Sequence, residues 1–300
     1  MKTLHLTGNQ KPFNLDLTLA CGQVFRWTKT DDDWTGVVDQ QVVTIRQKND
    51  YMLYDGISRS DLIQYFSLDI SLEDMMLSIR NSIRNYSGDE TDSFFEVAAK
   101  SGVGLRIIRQ DPWESLISFI CSQNSNIPSI TKRISLLCER YGQPLKNYKF
   151  GFPTPFALAE CGAEELKTCS TGYRASYLTD TASYVMKDPT LLSKISGLPL
   201  EKAREELMKF PGVGPKVADC VLLFGYNFYE SVPVDVWIRS IITGAYPDVQ
   251  ERACGKKDCS YTEIANFCRE YFGPYAGYAQ QLLFAARQVL PLSDRALSKS

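Results

Sequence analysis

The sequence predicts an α+β chain, with an antiparallel sheet domain over residues 1–105 packed on an all-helical region over residues 106–300. Three observations carry this expectation. Short β-branched and aromatic runs alternate with polar turns in the first 55 residues, and from about Asp111 onward the apolar residues fall at helical spacing. The charge also changes sign: residues 1–100 hold ten Lys and Arg against 15 Asp and Glu, net −5, whereas residues 101–300 hold 23 against 20, net +3. With 300 residues, 44% of them hydrophobic and 23% charged, the chain has ample material for packed cores and is not collagenous, disordered or a coiled coil.

In chain order, Val24–Trp27, Trp34–Val38, Val42–Ile45 and Tyr51–Tyr54 read as strands, separated by turns at Thr30–Asp33 and Gln47–Asp50. Helices are expected from about Ser60. Asp111 followed by Pro112 starts a helix whose buried face is Trp113, Leu116, Ile117, Ile120 and Cys121, because proline suits the first helical position. Further helices are expected over 130–141, 163–169, 175–186, 200–210, 215–228, 234–243, 261–272 and 276–289, punctuated by glycine and proline turns. There is no internal repeat and no low-complexity linker.

Composition excludes several chemistries. The one histidine, His5, has no acidic or cysteine cluster beside it, which argues against imidazole-based metal sites, Ser-His-Asp triads and Cys-His dyads. Nine cysteines are an odd, scattered set, and no apolar stretch with a small-residue cleavage site opens the chain, so reduced thiols in a cytosolic or nuclear compartment are expected. Cys254, Cys259 and Cys268 lack a CxxC spacing and a fourth ligand, which argues against a metal or iron–sulfur centre. No run is long and apolar enough for a membrane span. The net charge of −2 argues against a polyanionic partner unless main-chain groups make the contact.

Residues 200–228 supply such groups. A helix ending near Phe210, the turn Pro211-Gly212-Val213-Gly214 and a new helix opening at Pro215 form a helix-hairpin-helix pattern. Its turn presents backbone amides at a helix N-terminus, where a phosphate oxygen is accepted without a cationic side chain. The bland alternative is a plain interhelical turn. Lys216 stands in the first turn of the second helix. A lysine of ordinary pKa is only about 0.1% free amine near pH 7.4, so a nucleophilic amine needs desolvation or a nearby positive potential, and the end of the helix dipole supplies the latter. Asp235, in Val232-Pro233-Val234-Asp235-Val236, is expected to cap another helix, where the dipole favours its charge. Taken alone it is an ordinary cap; paired with Lys216 it suits attack at a carbon developing positive charge.

These residues lie in two of six blocks that, in this order, resemble the helix-hairpin-helix DNA glycosylases, and within them the bifunctional 8-oxoguanine DNA glycosylase/AP lyases. The blocks are Gly22–Trp27, Asp111–Glu114 through Phe119–Ile127, Gly172–Ala175, Pro211–Cys220, Val232–Val236 and Phe272–Gln280. The resemblance implies a TBP-like N-terminal sheet domain and a two-lobed helical core. It implies that a damaged nucleotide is flipped from the duplex, that Lys216 attacks C1′, and that Asp235 stabilises the transition state. Schiff-base formation and β-elimination then nick the strand. Gly22 would offer its carbonyl to the N7–H of 8-oxoguanine, Cys220 and Phe284 would sandwich the base, and Gln280 would bond its Watson–Crick edge. Asn124 and Tyr173 would fill the gap and Arg174 would read the estranged base. Asn126 and the hairpin residues Gly212, Val213 and Gly214 would lie at the DNA. Without the resemblance, Phe284 and Cys220 are core residues and Tyr173-Arg174 is a solvated turn.

The same resemblance implies duplex DNA as partner, a monomer, a nucleoid or nuclear location and no required cofactor, with room for a monovalent cation at the hairpin. The chain departs from the family's eukaryotic members in three places. Their Asn-Asn-Asn run is Asn124-Ser125-Asn126 here. Ser129 stands where they carry a second arginine against the orphaned cytosine, and Trp237 where they carry a histidine. Serine cannot make an arginine's paired contact, which predicts relaxed opposite-base discrimination. The alternatives are a non-catalytic helix-hairpin-helix damage-binding module and a glycosylase for another modified base.

Overall fold

A computed structural model describes residues 1–246 and 258–290. The first part of the chain runs β1 (Lys2–His5), α1 (Leu15–Ala20), β2 (Thr28–Thr30), β3 (Asp33–Val38), β4 (Gln41–Lys48), β5 (Tyr51–Asp55), α2 (Arg59–Tyr65), α3 (Leu72–Ser87) and α4 (Ser93–Ser101). The strands form one antiparallel sheet in the order β1-β5-β4-β3-β2. Between β3 and β4 the chain reverses through Asp39 and Gln40, both at positive φ (45° and 63°), the backbone that matches the twist of a two-residue hairpin. Val43, Ile45, Met52 and Tyr54 then alternate onto one buried face, as the period of two requires.

One expectation about this part is corrected, and one strand was not foreseen. Val24–Trp27 is not a strand. The buried Gln23 amide beside it donates to the carbonyls of Thr18 and Arg106 and accepts from the Ile108 N–H, fastening the segment to α1 and the loop at 106–108 instead of a ladder. The edge strand β1 carries a single inward residue, Leu4, too little pattern to read from sequence.

The remainder is helical: α5 (Pro112–Cys121), α6 (Ile127–Tyr141), α7 (Pro155–Glu160), α8 (Gly162–Lys167), α9 (Arg174–Lys187), α10 (Leu191–Ile195), α11 (Leu200–Leu207), α12 (Pro215–Gly225), α13 (Val236–Ala245), α14 (Tyr261–Phe272) and α15 (Ala276–Ala285). Several starts are fixed by side-chain caps: Asp111 on α5, Asn126 on α6, Asp235 on α13 and Ser260 on α14.

The apolar residues form two cores. The smaller lies under the sheet around Leu4, Ile45, Met52 and Phe66. The larger takes in α3 and α4 through Ile79 and Phe95, together with α5 to α15. Arg106 stitches the two. It is buried, and its guanidinium donates to the carbonyls of Ser67, Ile70, Asn9 and Pro12. Within the large core α5 packs against α12, with the Phe119 and Phe224 rings stacked at 5.4 Å. The two helices run antiparallel, with Gly225 against Pro112 and Ser115 and Lys216 Nζ reaching Ser122 Oγ, so the C-terminus of α5 lies beside the N-terminus of α12.

Cys259 is disulfide-bonded, against the expectation of reduced thiols throughout, while Cys21, Cys121, Cys138, Cys161, Cys169, Cys220 and Cys268 are free. Cys254 lies outside the described residues. Among the described residues, no helix is long and apolar enough to cross a membrane, and no cluster of three or more His, Cys, Asp or Glu side chains is placed to hold a metal.

Candidate active site

The turn between α11 and α12 is built by its glycines. Gly212 sits at φ +77°, and a Cβ there would run into the Tyr177 ring, so only glycine fits both the backbone and the packing. Val213 donates its N–H to the Phe210 carbonyl at 3.0 Å, closing the turn. Gly214 then caps α12 with no side-chain bond, and Pro215 takes the first helical position. Lys216 follows, half-buried. Its Nζ donates to Ser122 Oγ at 3.5 Å and stands 5.7 Å from the centroid of the Phe119 ring.

Asp235 approaches from α13. Its Oδ1 accepts the Ile238 N–H at 2.8 Å, the geometry of an N-cap. Burial pushes the Asp235 carboxyl above its ordinary range, against the pull of the Ile238 amide and the Lys216 charge. Lys216 and Asp235 both line an open groove of about 940 Å³ and, inside it, a recess of about 70 Å³. The recess brings together Gly22, Cys220, Gln280 and Phe284, four residues from three separate stretches of sequence. A second groove of about 970 Å³, between β4 and the turn at Pro144–Asn147, contains none of them.

Each wall of the recess has a physical character. Gly22 sits at φ +82°, and a Cβ on it would lie 3.0 Å from Ile127 Cδ1, so the main chain approaches the recess without an intervening side chain. Burial pushes the Cys220 thiol up to about 11, leaving it a neutral, polarisable wall rather than a nucleophile. Phe284 faces it from α15, with the Arg287 guanidinium 4.2 Å above its ring centroid. Gln280 is buried, and its Oε1 accepts a hydrogen bond from Gln281 Nε2 at 2.9 Å. An amine, a carboxylate, an aromatic face and a buried amide around one opening can bind a planar heterocycle and attack the carbon that carries it.

Residues 5–116 match the family model for the 8-oxoguanine DNA glycosylase N-terminal domain, and residues 117–253 that for HhH-GPD superfamily base excision DNA repair proteins. The chain is 31% identical to N-glycosylase/DNA lyase OGG1 of Arabidopsis thaliana, over 94% of this chain and 82% of that one. The chain belongs to the 8-oxoguanine DNA glycosylase family. It is also 31% identical to the N-glycosylase/DNA lyase of Saccharomyces cerevisiae, over 92% of this chain and 84% of that one. The 8-oxoguanine glycosylase/lyase of Clostridium acetobutylicum, solved with double-stranded DNA containing cytosine opposite to 8-oxoG, superposes with TM-score 0.81 at 32% identity, covering 92% of each chain.

The rim of the groove in this family member is the loop from α5 to α6. Asn124 holds φ +44°, and its Nδ2 donates to Tyr173 Oη at 3.3 Å, while the Tyr173 ring is half exposed. Asn126 spends its side chain on the Ser129 N–H at 3.0 Å. Arg174 is buried, not solvated: its guanidinium donates to the main-chain carbonyls of Gln123 and Thr171 and stacks 4.5 Å from the Tyr173 ring centroid. A second buried arginine, Arg133, donates to the carbonyls of Cys121 (2.6 Å) and Ser170 (2.8 Å). Gln123 Nε2 ties the loop to the hairpin through the Gly212 carbonyl at 2.8 Å. Trp237 lines the same groove.

Sequence reasoning missed Arg287, Gln281, Tyr261 and Arg133. Arg287 was within reach, since it lies three residues beyond Phe284 on the same helical stripe. Arg133 and Tyr261 act through partners far away in sequence, while the Gln281 amide is spent on its neighbour Gln280, and no spacing rule announces either arrangement.

Proposed function

We propose that this chain is a bifunctional DNA glycosylase/AP lyase that excises 8-oxoguanine from duplex DNA in base excision repair. The observation that carries the reading is the pair of helix N-termini that present Lys216 and Asp235 to one recess. A damaged nucleotide leaves the stack at a cost of a few kcal/mol. Gly22, Cys220, Gln280 and Phe284 hold the flipped base. As the bond from C1′ to the base breaks, its electron pair leaves with the base and Lys216 Nζ bonds to C1′. Asp235 stabilises the positive charge that develops on the sugar. Opening of the sugar ring gives an imine on Lys216, whose electron withdrawal lets C2′ lose a proton and the 3′ phosphate depart. A binding module has no use for this pair, and the amine distinguishes a lyase from a glycosylase that only hydrolyses.

DNA is met at the hairpin amides beside Gly212, Val213 and Gly214 and at the rim residues Asn124, Asn126, Tyr173 and Arg174. Because main-chain groups carry much of the phosphate contact, binding weakens with salt along a shallow slope. The carbonyls of Phe210, Pro211 and Gly212 already accept bonds from Val213, Thr181 and Gln123, so a monovalent cation there competes for their second lone pairs, and no step of the reaction runs through it. The reading assigns no cofactor and no iron–sulfur cluster, and places a monomer wherever the cell keeps its DNA.

Asp235→Asn tests the electrostatic role. Asparagine still caps a helix, so α13 should persist, while single-turnover excision falls by about 10²–10³-fold, as for loss of one transition-state stabiliser. Equal loss of binding to an 8-oxoguanine duplex would show a structural cap instead. A second expectation concerns the opposite base. With Ser129 exposed and the Arg133 and Arg174 guanidiniums both bonded to main-chain carbonyls, the preference for cytosine should be about 5- to 150-fold weaker than with a paired arginine contact. Excision from duplexes with C, A, G or T opposite 8-oxoguanine measures it. A steep preference for C that Ser129→Arg does not increase contradicts this.

A further inference from the structure

The recess contains one polar group that the mechanism does not use. Gln281, on α15 next to Gln280, is 5% exposed and lines the recess with Lys216 and Asp235. Its Nε2 donates to Gln280 Oε1 at 2.9 Å, and its own Oε1 is buried with no hydrogen-bond partner. A carbonyl held out of water without a donor is destabilising, and in a native structure such a group calls for a reason.

We propose that Gln281 is a specificity-determining residue, its side-chain carbonyl accepting the exocyclic 2-amino group of a guanine-type base. The inference rests on the base-excision reading above and deepens it. The bond from Gln281 consumes one lone pair of Gln280 Oε1 and sets the direction of that amide. Three groups then remain for a ligand: the Nε2 hydrogens of Gln280 as donor, the second lone pair of Gln280 Oε1 as acceptor, and Gln281 Oε1 as a second acceptor. The pairing edge of guanine and of 8-oxoguanine offers O6 as acceptor, N1–H as donor and the 2-amino group as donor. The two sets match in type, group for group. A hypoxanthine-type base lacks the third group and leaves Gln281 unpaired; an adenine-type base offers one donor and one acceptor, and leaves more unpaired.

The test is single-turnover excision from two duplexes, one with 8-oxoguanine and one with 8-oxohypoxanthine, the same base without its 2-amino group, each opposite cytosine. Gln281→Met removes the carbonyl while keeping the length of the side chain. Its expected effect is a loss on 8-oxoguanine about 5- to 150-fold larger than on 8-oxohypoxanthine, the worth of one specific base contact, because the lost bond to Gln280 weakens both substrates alike. The ratio of the two rates therefore collapses. Gln281→Ala, a strong helix former, should collapse it too. A folding defect lowers both rates together, so the ratio isolates the contact. A ratio unchanged from the parent protein in either folded variant overturns the inference, and assigns Gln281 only to holding Gln280. A parent protein inactive on both bases overturns the base-excision reading itself.

Discussion

Lys216→Gln is expected to lose base release and strand cleavage together, by at least about 10⁴-fold, while still binding an 8-oxoguanine duplex. The size follows from the absence of a substitute. Burial pushes the other candidate nucleophiles in the recess, the Cys21 and Cys220 thiols, up to about 11, so neither supplies thiolate near neutral pH. The Ser122 hydroxyl donates to the Phe119 carbonyl at 2.8 Å, and once Lys216 is replaced no base remains among its hydrogen bonds. Removing the nucleophile of a catalytic unit typically leaves only the rate that binding and electrostatics supply. Glutamine keeps most of the side chain's length and its contact with Ser122, so affinity should survive. Gel-shift binding beside single-turnover excision measures the two effects separately. Strand cleavage persisting within tenfold of the parent protein contradicts the assignment.

The largest expected change in stability belongs to Asp219, three residues after Lys216 on α12. It is fully buried, and its carboxylate accepts from Arg204 Nε (2.9 Å), Ser231 Oγ (2.8 Å) and Tyr261 Oη (2.5 Å). Burial raises its carboxyl above the usual range, against the Arg204 charge and the Tyr261 and Ser231 hydroxyls. The Tyr261 hydroxyl also contacts the Val232 carbonyl and the Val234 N–H, just before Asp235. Asp219 thus joins α11, α12, α14 and the segment that delivers Asp235. Asp219→Ala strips Arg204, itself largely buried, of its main partner, and breaking a buried pair from one side costs about 3–5 kcal/mol. Thermal unfolding should shift down by on the order of 10 °C. Replacing Asp219 by Leu and Arg204 by Met together is expected to cost less than Asp219→Ala alone, because no uncompensated charge remains. A double variant less stable than the single one contradicts that account.

Much of the architecture was legible because it depends on local chemistry. Pro211-Gly212-Val213-Gly214-Pro215 dictates a turn and a helix start whatever surrounds it, and Asp235 caps α13 as its position before Val236 and Ile238 implied. Boundaries moved where caps outweighed apolar spacing: α6 begins at Ile127, behind Asn126, not at Ile130, and α12 ends at Gly225, not Phe228. The short helices α7 and α10 were not foreseen, since one apolar turn carries no period. Val24–Trp27 looked like a strand because its residues favour strands, but Gln23 supplies tertiary bonds that a pattern cannot show.

In the site, residue types indicated which groups meet, and the fold does collect Lys216, Asp235, Gly22, Cys220, Gln280 and Phe284 around one recess. What sequence withheld is how the hydrogen bonds are spent. Arg174 and Arg133 are committed to carbonyls, and Gln281 bonds its neighbour and leaves an oxygen unpaired. The arginine bonds depend on carbonyls distant in sequence and the Gln281 bond on how its side chain packs, and a linear pattern of residue types encodes neither.

The central claim is that the Lys216 amine bonds to the sugar of an 8-oxoguanine nucleotide. Borohydride reduction of the parent protein with a duplex containing one 8-oxoguanine, followed by proteolysis and peptide mass mapping, tests it most directly. The account predicts a covalent adduct on the peptide bearing Lys216, and none with the same duplex containing guanine. No adduct, or an adduct on another residue, would contradict it.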